Sequence, residues 1–307
     1  MGQMCAAQIV GSIEQNVAGN HTKEFGMTSQ GIRPVFTPVQ SVCILIPLLV
    51  IGTAYLLLYY HHENDITHQT VEAFNEKRWE EGVRLSLTAD RNDPRVQAGL
   101  GICYLLGLGG VMEDHEAGRE WLEKAALNGD ARGQSLLAQC YYMGKGVAKD
   151  YNLAATWWRR SAEQGWAPSQ CDLGNCYFTG KGVKKDYAEA VNWFKKAAGQ
   201  DHVEAQYGLG VCYMVGKGTE KDLSQGISWL RKAAAKNNAN ALRDLGICYQ
   251  CGMGVERNLT EARKWLNKAV EQGDSKAKDQ LEELEQKEDE KRRMKVEQEL
   301  QKYMRDS

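Results

Sequence analysis

Three short stretches of the 307-residue chain carry residue types that could do chemistry. Gly180-Lys181-Gly182 follows a helical-looking segment and sets a cation between two glycines, as a phosphate-binding loop would. Cys248 and Cys251 have the spacing of a redox pair, and His61, His62 and His68 are close enough in sequence to suggest metal ligands. Each reading fails on its context. A nucleotide P-loop has four residues between its first glycine and its Gly-Lys, then Ser or Thr, and joins a strand to a helix. Here Gly174 precedes Gly180-Lys181 by five residues, Gly182 takes the place of the hydroxyl, and both flanks read as helices. The same loop further on, Gly252-Met253-Gly254, has no lysine. Cys248-x-x-Cys251 lacks the strand of a thioredoxin-type motif. Ser135 and Asp172 have no base or orienting group in register with them, so no nucleophile is set up. The three histidines equally suit a polar exit from a membrane. No catalytic residue, cofactor site or metal site is assigned.

The loop is made several times over, which directs attention to what is repeated around it. Trp121, Trp157, Trp193, Trp229 and Trp265 are each 36 residues apart, and Cys140, Cys176, Cys212 and Cys248 keep the same interval. Cys103 is one residue further upstream, because Gly107-Leu108-Gly109-Gly110-Val111 is one residue longer than its counterparts. A fixed period of this length marks a stacked-repeat architecture. Within a unit, Ala205, Leu209, Cys212 and Tyr213 share one face of a first helix, and Ala190, Trp193, Phe194 and Ala197 share one face of a second. Gly180 suits the left-handed residue just past a helix end. Asp186 can cap the second helix with Glu189 closing a capping box, as can Asp222 with Gln225 and Asn258 with Glu261. Gly174, Gly210 and Gly246 leave room for helices to approach closely.

The pattern carried by Leu173, Gly174, Tyr177, Gly180, Gly182, Val183, Lys185, Asp186, Ala190, Trp193, Lys196, Ala197 and Ala198 resembles the Sel-one-like repeat (SLR), a relative of the tetratricopeptide repeat. It recurs over about residues 94 to 273 as five units, with Ala138, Thr219 and Arg257-Asn258 as modest departures. The resemblance implies an all-α, right-handed α-solenoid of two-helix repeats that serves as a scaffold for protein partners, with no shared catalytic residues.

The ends differ from the repeats. Residues 67–89 read as one amphipathic capping helix, within a juxtamembrane and capping segment 61–93, with Arg84 where later units have tryptophan. Residues 274–307 begin a sixth first helix, then become a charged, solvated one, with Glu283/Lys287, Glu288/Arg292 and Asp289/Arg293 at i,i+4. No sustained apolar seam is present for a coiled coil, and the repeat domain is expected to be monomeric. At the other end, residues 42–60 contain 19 residues without a charge, near the ~20 that cross a bilayer. A transmembrane helix is expected over 39–60 after a disordered tail 1–38, and Met27 offers a second start. Lys23 and Arg33 before the span, against Glu63, Asp65 and Glu72 after it, favour an inside amino terminus and a periplasmic or extracytoplasmic repeat domain. A cytoplasmic repeat domain is the alternative.

A net charge of −2 gives no field for nucleic acid. The expected function is therefore a membrane-tethered scaffold for a protein or peptide; a cell-envelope hydrolase and a signalling membrane protein are the alternatives. Fixed positions are occupied with packing, so recognition falls to positions that vary between units on the first helices. These are Tyr142 and Met143, then Asn175, Phe178 and Thr179, then Met214 and Val215, then Gln250.

Overall fold

In the computed structural model residues 65–306 are described, and every regular element among them is a helix. The tail 1–38, the expected span 39–60, His61 and His62 lie outside the described residues. Among the described residues no helix is long and apolar enough to cross a membrane.

Ten 13-residue helices form five antiparallel pairs, one per 36-residue period. First and second helices alternate as α3 (Pro94–Leu106) with α4 (His115–Leu127), α5 (Ala131–Met143) with α6 (Tyr151–Glu163), and α7 (Ala167–Thr179) with α8 (Tyr187–Gly199). The series ends with α9 (Val203–Val215) and α10 (Leu223–Ala235), then α11 (Ala239–Cys251) and α12 (Leu259–Glu271). Each helix packs on the one before and the one after it, which makes an α-solenoid.

Equal lengths follow from equal stop and start devices. Gly107, Gly144, Gly180, Gly216 and Gly252 end the first helices with φ between 62° and 79°, each N–H reaching the carbonyl of the repeat cysteine. Second helices start on Asp114, Asp150, Asp186, Asp222 or Asn258, whose side-chain oxygen accepts from a first-turn N–H. The expected capping box is not closed. The backbone N–H of Asp186 is taken by the carbonyl of Tyr177 at 3.0 Å, and the same tyrosine carbonyl serves in every unit. Gln225 accordingly turns its amide to the Asp222 carboxylate instead, at 2.9 Å.

The core lies between paired helices, and its deepest residue is the one after each ladder tryptophan. Leu122, Trp158, Phe194, Leu230 and Leu266 are all buried, whereas among the ladder itself Trp157 and Trp193 are buried and Trp121, Trp229 and Trp265 only half-buried. The helix glycines make this possible. A Cβ on Gly174 would stand 2.7 Å from the Phe194 ring, and one on Gly246 would stand 2.7 Å from Leu266. Each ladder tryptophan instead lies under a cation one turn on: Lys124, Arg160, Lys196, Lys232 and Lys268 approach the five rings at 3.9 to 5.0 Å.

A second ladder is polar. Buried Gln134 and Gln170 bond the carbonyls of Ala126 and Ala162, and each accepts from the glutamine amide of a following second helix, Gln164 or Gln200. Neighbouring units are thus stitched by satisfied buried amides, which a search for apolar periodicity passes over.

The stack closes differently from the expectation at its amino end. Residues 67–89 form two short helices, α1 (65–75) and α2 (Trp79–Leu85), not one. Lys77 adopts φ 61°, and Arg78 N–H bonds the Ala73 carbonyl at 2.8 Å, a tight helix stop without a glycine. Phe74 drives the reversal: its ring fits against Gly82 on α2 and Gly99 on α3, where added Cβ atoms would lie within 2.5 Å and 2.1 Å. At the carboxyl end, α13 (Ser275–Asp306) runs on for 32 residues. Asp274 caps it, Ala277 and Leu284 are buried against the last pair, and Glu288 is paired with Arg263 on α12. The expected Glu283–Lys287 and Glu288–Arg292 pairs are present, and Arg292 also reaches Asp289.

Candidate functional site

Both glycines of the Gly-Lys-Gly loop have a packing role, and the lysine has one too. Gly180 stops the helix; Gly182, at φ 73°, lies on the start of the preceding unit's second helix, where a Cβ would be 1.9 Å from the Tyr151 carbonyl oxygen. Gly218 lies in the same way on Tyr187, again at 1.9 Å. Between them Lys181 donates to the Tyr142 hydroxyl at 3.1 Å and lies over the rings of Tyr142 and Tyr151. Lys217, one unit on, covers Phe178 and Tyr187. The loop lysine is a clamp between units, and it is exposed enough to be worth little singly.

This arrangement divides the eight residues assigned to the groove. Tyr142 contacts Tyr151 and Trp158 with ring centroids 5.1 and 5.3 Å away, and Phe178 meets Tyr187 at 5.2 Å. Met214 fills the space beside Gly226, and the backbone carbonyl of Gln250 accepts from Arg257. These four are half-buried and engaged. Met143, Asn175, Thr179 and Val215 are exposed. Four of the eight, Tyr142, Met143, Asn175 and Thr179, line one cleft of about 160 Å³ between α5 and α7, together with Gln139, Trp158, Asp172 and Cys176. A second cleft of about 200 Å³ between α3 and α5 shares Gln139 and Met143 with it and is otherwise walled by Ile102, Leu105, Leu106, Leu136, Cys140 and Lys145. A largely apolar track therefore runs across three consecutive first helices.

Asp172 is the residue that sequence reasoning set aside too early. It is half-buried in the cleft wall, and burial, then the nearby Glu204 carboxylate, push its pKa up from 3.8 to about 6. The folded chain thus holds a proton that the unfolded chain has released, and stability falls as pH rises between 3.8 and about 6. Asp172→Asn should therefore stabilise the chain at pH 7 by on the order of 2 kcal/mol. The gain should vanish below about pH 4, where both forms are neutral. Thermal melts of the two chains at pH 3.5 and 7 check this; an equal difference at both pH values would contradict it.

The other candidate chemistry resolves into packing. Cys103, Cys140, Cys176, Cys212 and Cys248 are free, buried thiols, pushed up by burial to about 11 or, for Cys176, about 12. Their carbonyls hold the loop while their side chains fill the core, so they are poor nucleophiles. Cys251 is exposed and Cys248 buried, and both are free. Ser135 is buried. His68 pairs with Glu72 at 3.2 Å, and no cluster of three metal-ligating side chains occurs among the described residues.

Stacked helix pairs, with fixed positions used up in packing and variable ones left on a continuous track, define a repeat solenoid that presents a surface. The chain belongs to the Sel1 repeat family, whose model matches residues 94–130, 131–166, 167–202, 203–238 and 239–274. Among solved structures it resembles a Sel1 repeat protein from Oxalobacter formigenes, with 29% identity, a TM-score of 0.67, and coverage of 71% of this chain and 86% of that one. It also resembles a protective antigen present in uropathogenic Escherichia coli strains that displays an SLR fold, with 30% identity and a TM-score of 0.62. That match covers 71% of this chain but only 48% of the antigen. No curated protein matches the chain. Sel1 repeat proteins mediate protein–protein interaction, and their fold is that of a scaffold.

Proposed function

We propose that the protein is a membrane-tethered scaffold that holds a segment of a protein partner along its first helices. The observation that carries this is the contrast between positions. Residues repeated in every unit cap helices or fill the core, while Met143, Asn175, Thr179 and Val215 differ between units and stay exposed, the first three beside largely apolar clefts. Side chains of that kind on a rigid backbone offer area and shape to a partner without distorting the fold. The apolar run at 39–60 supplies the tether.

Two measurements test the two halves. The triple variant Met143→Ala, Asn175→Ala, Thr179→Ala should melt as the unmodified chain does and lose captured partners. Unchanged capture would move the site away from the first helices. A chain beginning at Glu63 should be soluble without detergent, helical, and still competent to capture. If it aggregates and regains solubility only with residues 39–60 present, that run packs on the repeats and the tether is wrong.

A further inference from the structure

Repeat position by repeat position, Asp172 on α7 corresponds to Asp244 on α11. The two carboxylates are treated very differently. Asp244 accepts from the Tyr207 hydroxyl at 3.1 Å and lies 3.4 Å from the Arg243 guanidinium, which also pairs with Asp274 at 2.5 Å. Around Asp172 the residues in those two places are Ser135 and Cys171. Neither a serine nor a thiol there reaches it: among the described residues the Asp172 carboxylate has no hydrogen bond and no ion pair. The cation of the adjoining loop is not free to help, since Lys181 is held on the Tyr142 hydroxyl. The charge nearest in effect is Glu204, of the same sign.

An ionised, half-buried carboxylate without a donor is costly, and this one opens onto a cleft instead of into the core. The walls suit a particular visitor. Half-buried Tyr142, which already carries Lys181, and largely buried Trp158 line it with ring atoms, Gln139 and Asn175 offer exposed amides, and the cleft of about 160 Å³ has room for one side chain and not for a folded domain. Elsewhere in this chain the same ingredients already hold cations, as Asp244, itself bonded by the Tyr207 hydroxyl, pairs with Arg243 and as Tyr142 and Tyr151 hold Lys181.

We infer that the cleft between α5 and α7 receives one cationic side chain, arginine in preference to lysine, from a basic segment of the partner, with Asp172 as its counter-ion. The inference rests on the groove reading above and gives that reading its partner chemistry. A guanidinium matches the site better than an ammonium because it can bond a carboxylate through two parallel N–H groups while its plane stacks on an aromatic ring. At Asp244 the Arg243 guanidinium already takes the corresponding place, so the cleft at Asp172 reads as a single, register-setting pocket.

The test uses the full chain in detergent, with N-butylguanidinium, N-butylammonium and neutral N-butylurea as probes and side-chain NMR signals of Asp172, Asn175 and Gln139 as the readout. At pH 7 butylguanidinium should shift these signals saturably, butylammonium more weakly, and butylurea not at all. Asp172→Asn, which keeps shape and fold, should weaken guanidinium binding by at least about tenfold. Adding the guanidinium should also return the Asp172 titration towards the ordinary carboxylate range, a change that a merely structural role would not produce. Equal shifts with the urea, or undiminished binding by Asp172→Asn, would overturn the inference. If the cleft binds no cation while the triple variant at Met143, Asn175 and Thr179 still loses its partner, the groove stands and this pocket assignment falls. If neither measurement responds, both fall together.

Discussion

Phe194→Ala is expected to lower the unfolding free energy by about 3–5 kcal/mol, the range for aromatic truncations in cores. Phe194 is fully enclosed between Gly174 of its own unit and Gly208 of the next, with would-be Cβ atoms at 2.7 and 3.2 Å from its ring. Its loss leaves a hole that two glycines cannot fill, and both neighbouring interfaces border it. Trp193→Ala should cost less than Phe194→Ala, because the indole is nearer the surface, its N–H has no partner, and its face is covered by the flexible Lys196 side chain. Chemical denaturation followed by circular dichroism checks the order. The reverse order would place the ladder tryptophans, not the residues after them, at the centre of the core.

Gly182→Ala is the second large expected effect, about 2–4 kcal/mol from an alanine forced into left-handed backbone together with a clash. The new methyl would meet the Tyr151 carbonyl oxygen at 1.9 Å, so the loop must lift off the preceding unit and take Lys181 away from its aromatic pair. Gly199→Ala is the control, since nothing lies within 4 Å of a Cβ there and the residue is helical. That change should be neutral or stabilising by up to ~1 kcal/mol. Comparable destabilisation by both would mean that loop geometry is not what joins the units.

The repeat was legible because its signals are periodic: tryptophan and cysteine at 36, a glycine stop, an acidic start. The period and the two-helix unit of the repeats therefore came out of the sequence, and the family match covers the same stretch. What stayed hidden depends on which side chains meet across units. The ladder tryptophan is conspicuous by type, yet Leu122, Trp158, Phe194, Leu230 and Leu266 reach deeper because they face the helix glycine. The break at Lys77 carried no turn residue to announce it; the Phe74 ring seated against Gly82 and Gly99 fixes it. Lysine between two glycines looked like anion chemistry, and its partners proved to be the aromatic rings one unit earlier.

Exposure within the proposed groove was legible only in part. Variation between units picked out Met143, Asn175, Thr179 and Val215, which are exposed, but also Tyr142, Phe178 and Met214, which are engaged in packing, and Gln250, which is half-buried. Variability alone cannot separate a surface that recognises something from one that fits its own neighbour. Asp172 was missed for the converse reason: among the described residues its carboxylate lacks the partners that Tyr207 and Arg243 give Asp244, and only that comparison makes the difference visible.

The central claim is that partners are held on the first helices. A photo-crosslinking side chain placed at Thr179, in the cleft between α5 and α7, tests it against the same side chain at Lys264 on the exposed face of α12. Irradiation of the full chain in its own cells should give a discrete adduct from Thr179, diminished when Met143 and Asn175 are also alanine, and none from Lys264. An adduct from Lys264 with none from Thr179 would contradict the account.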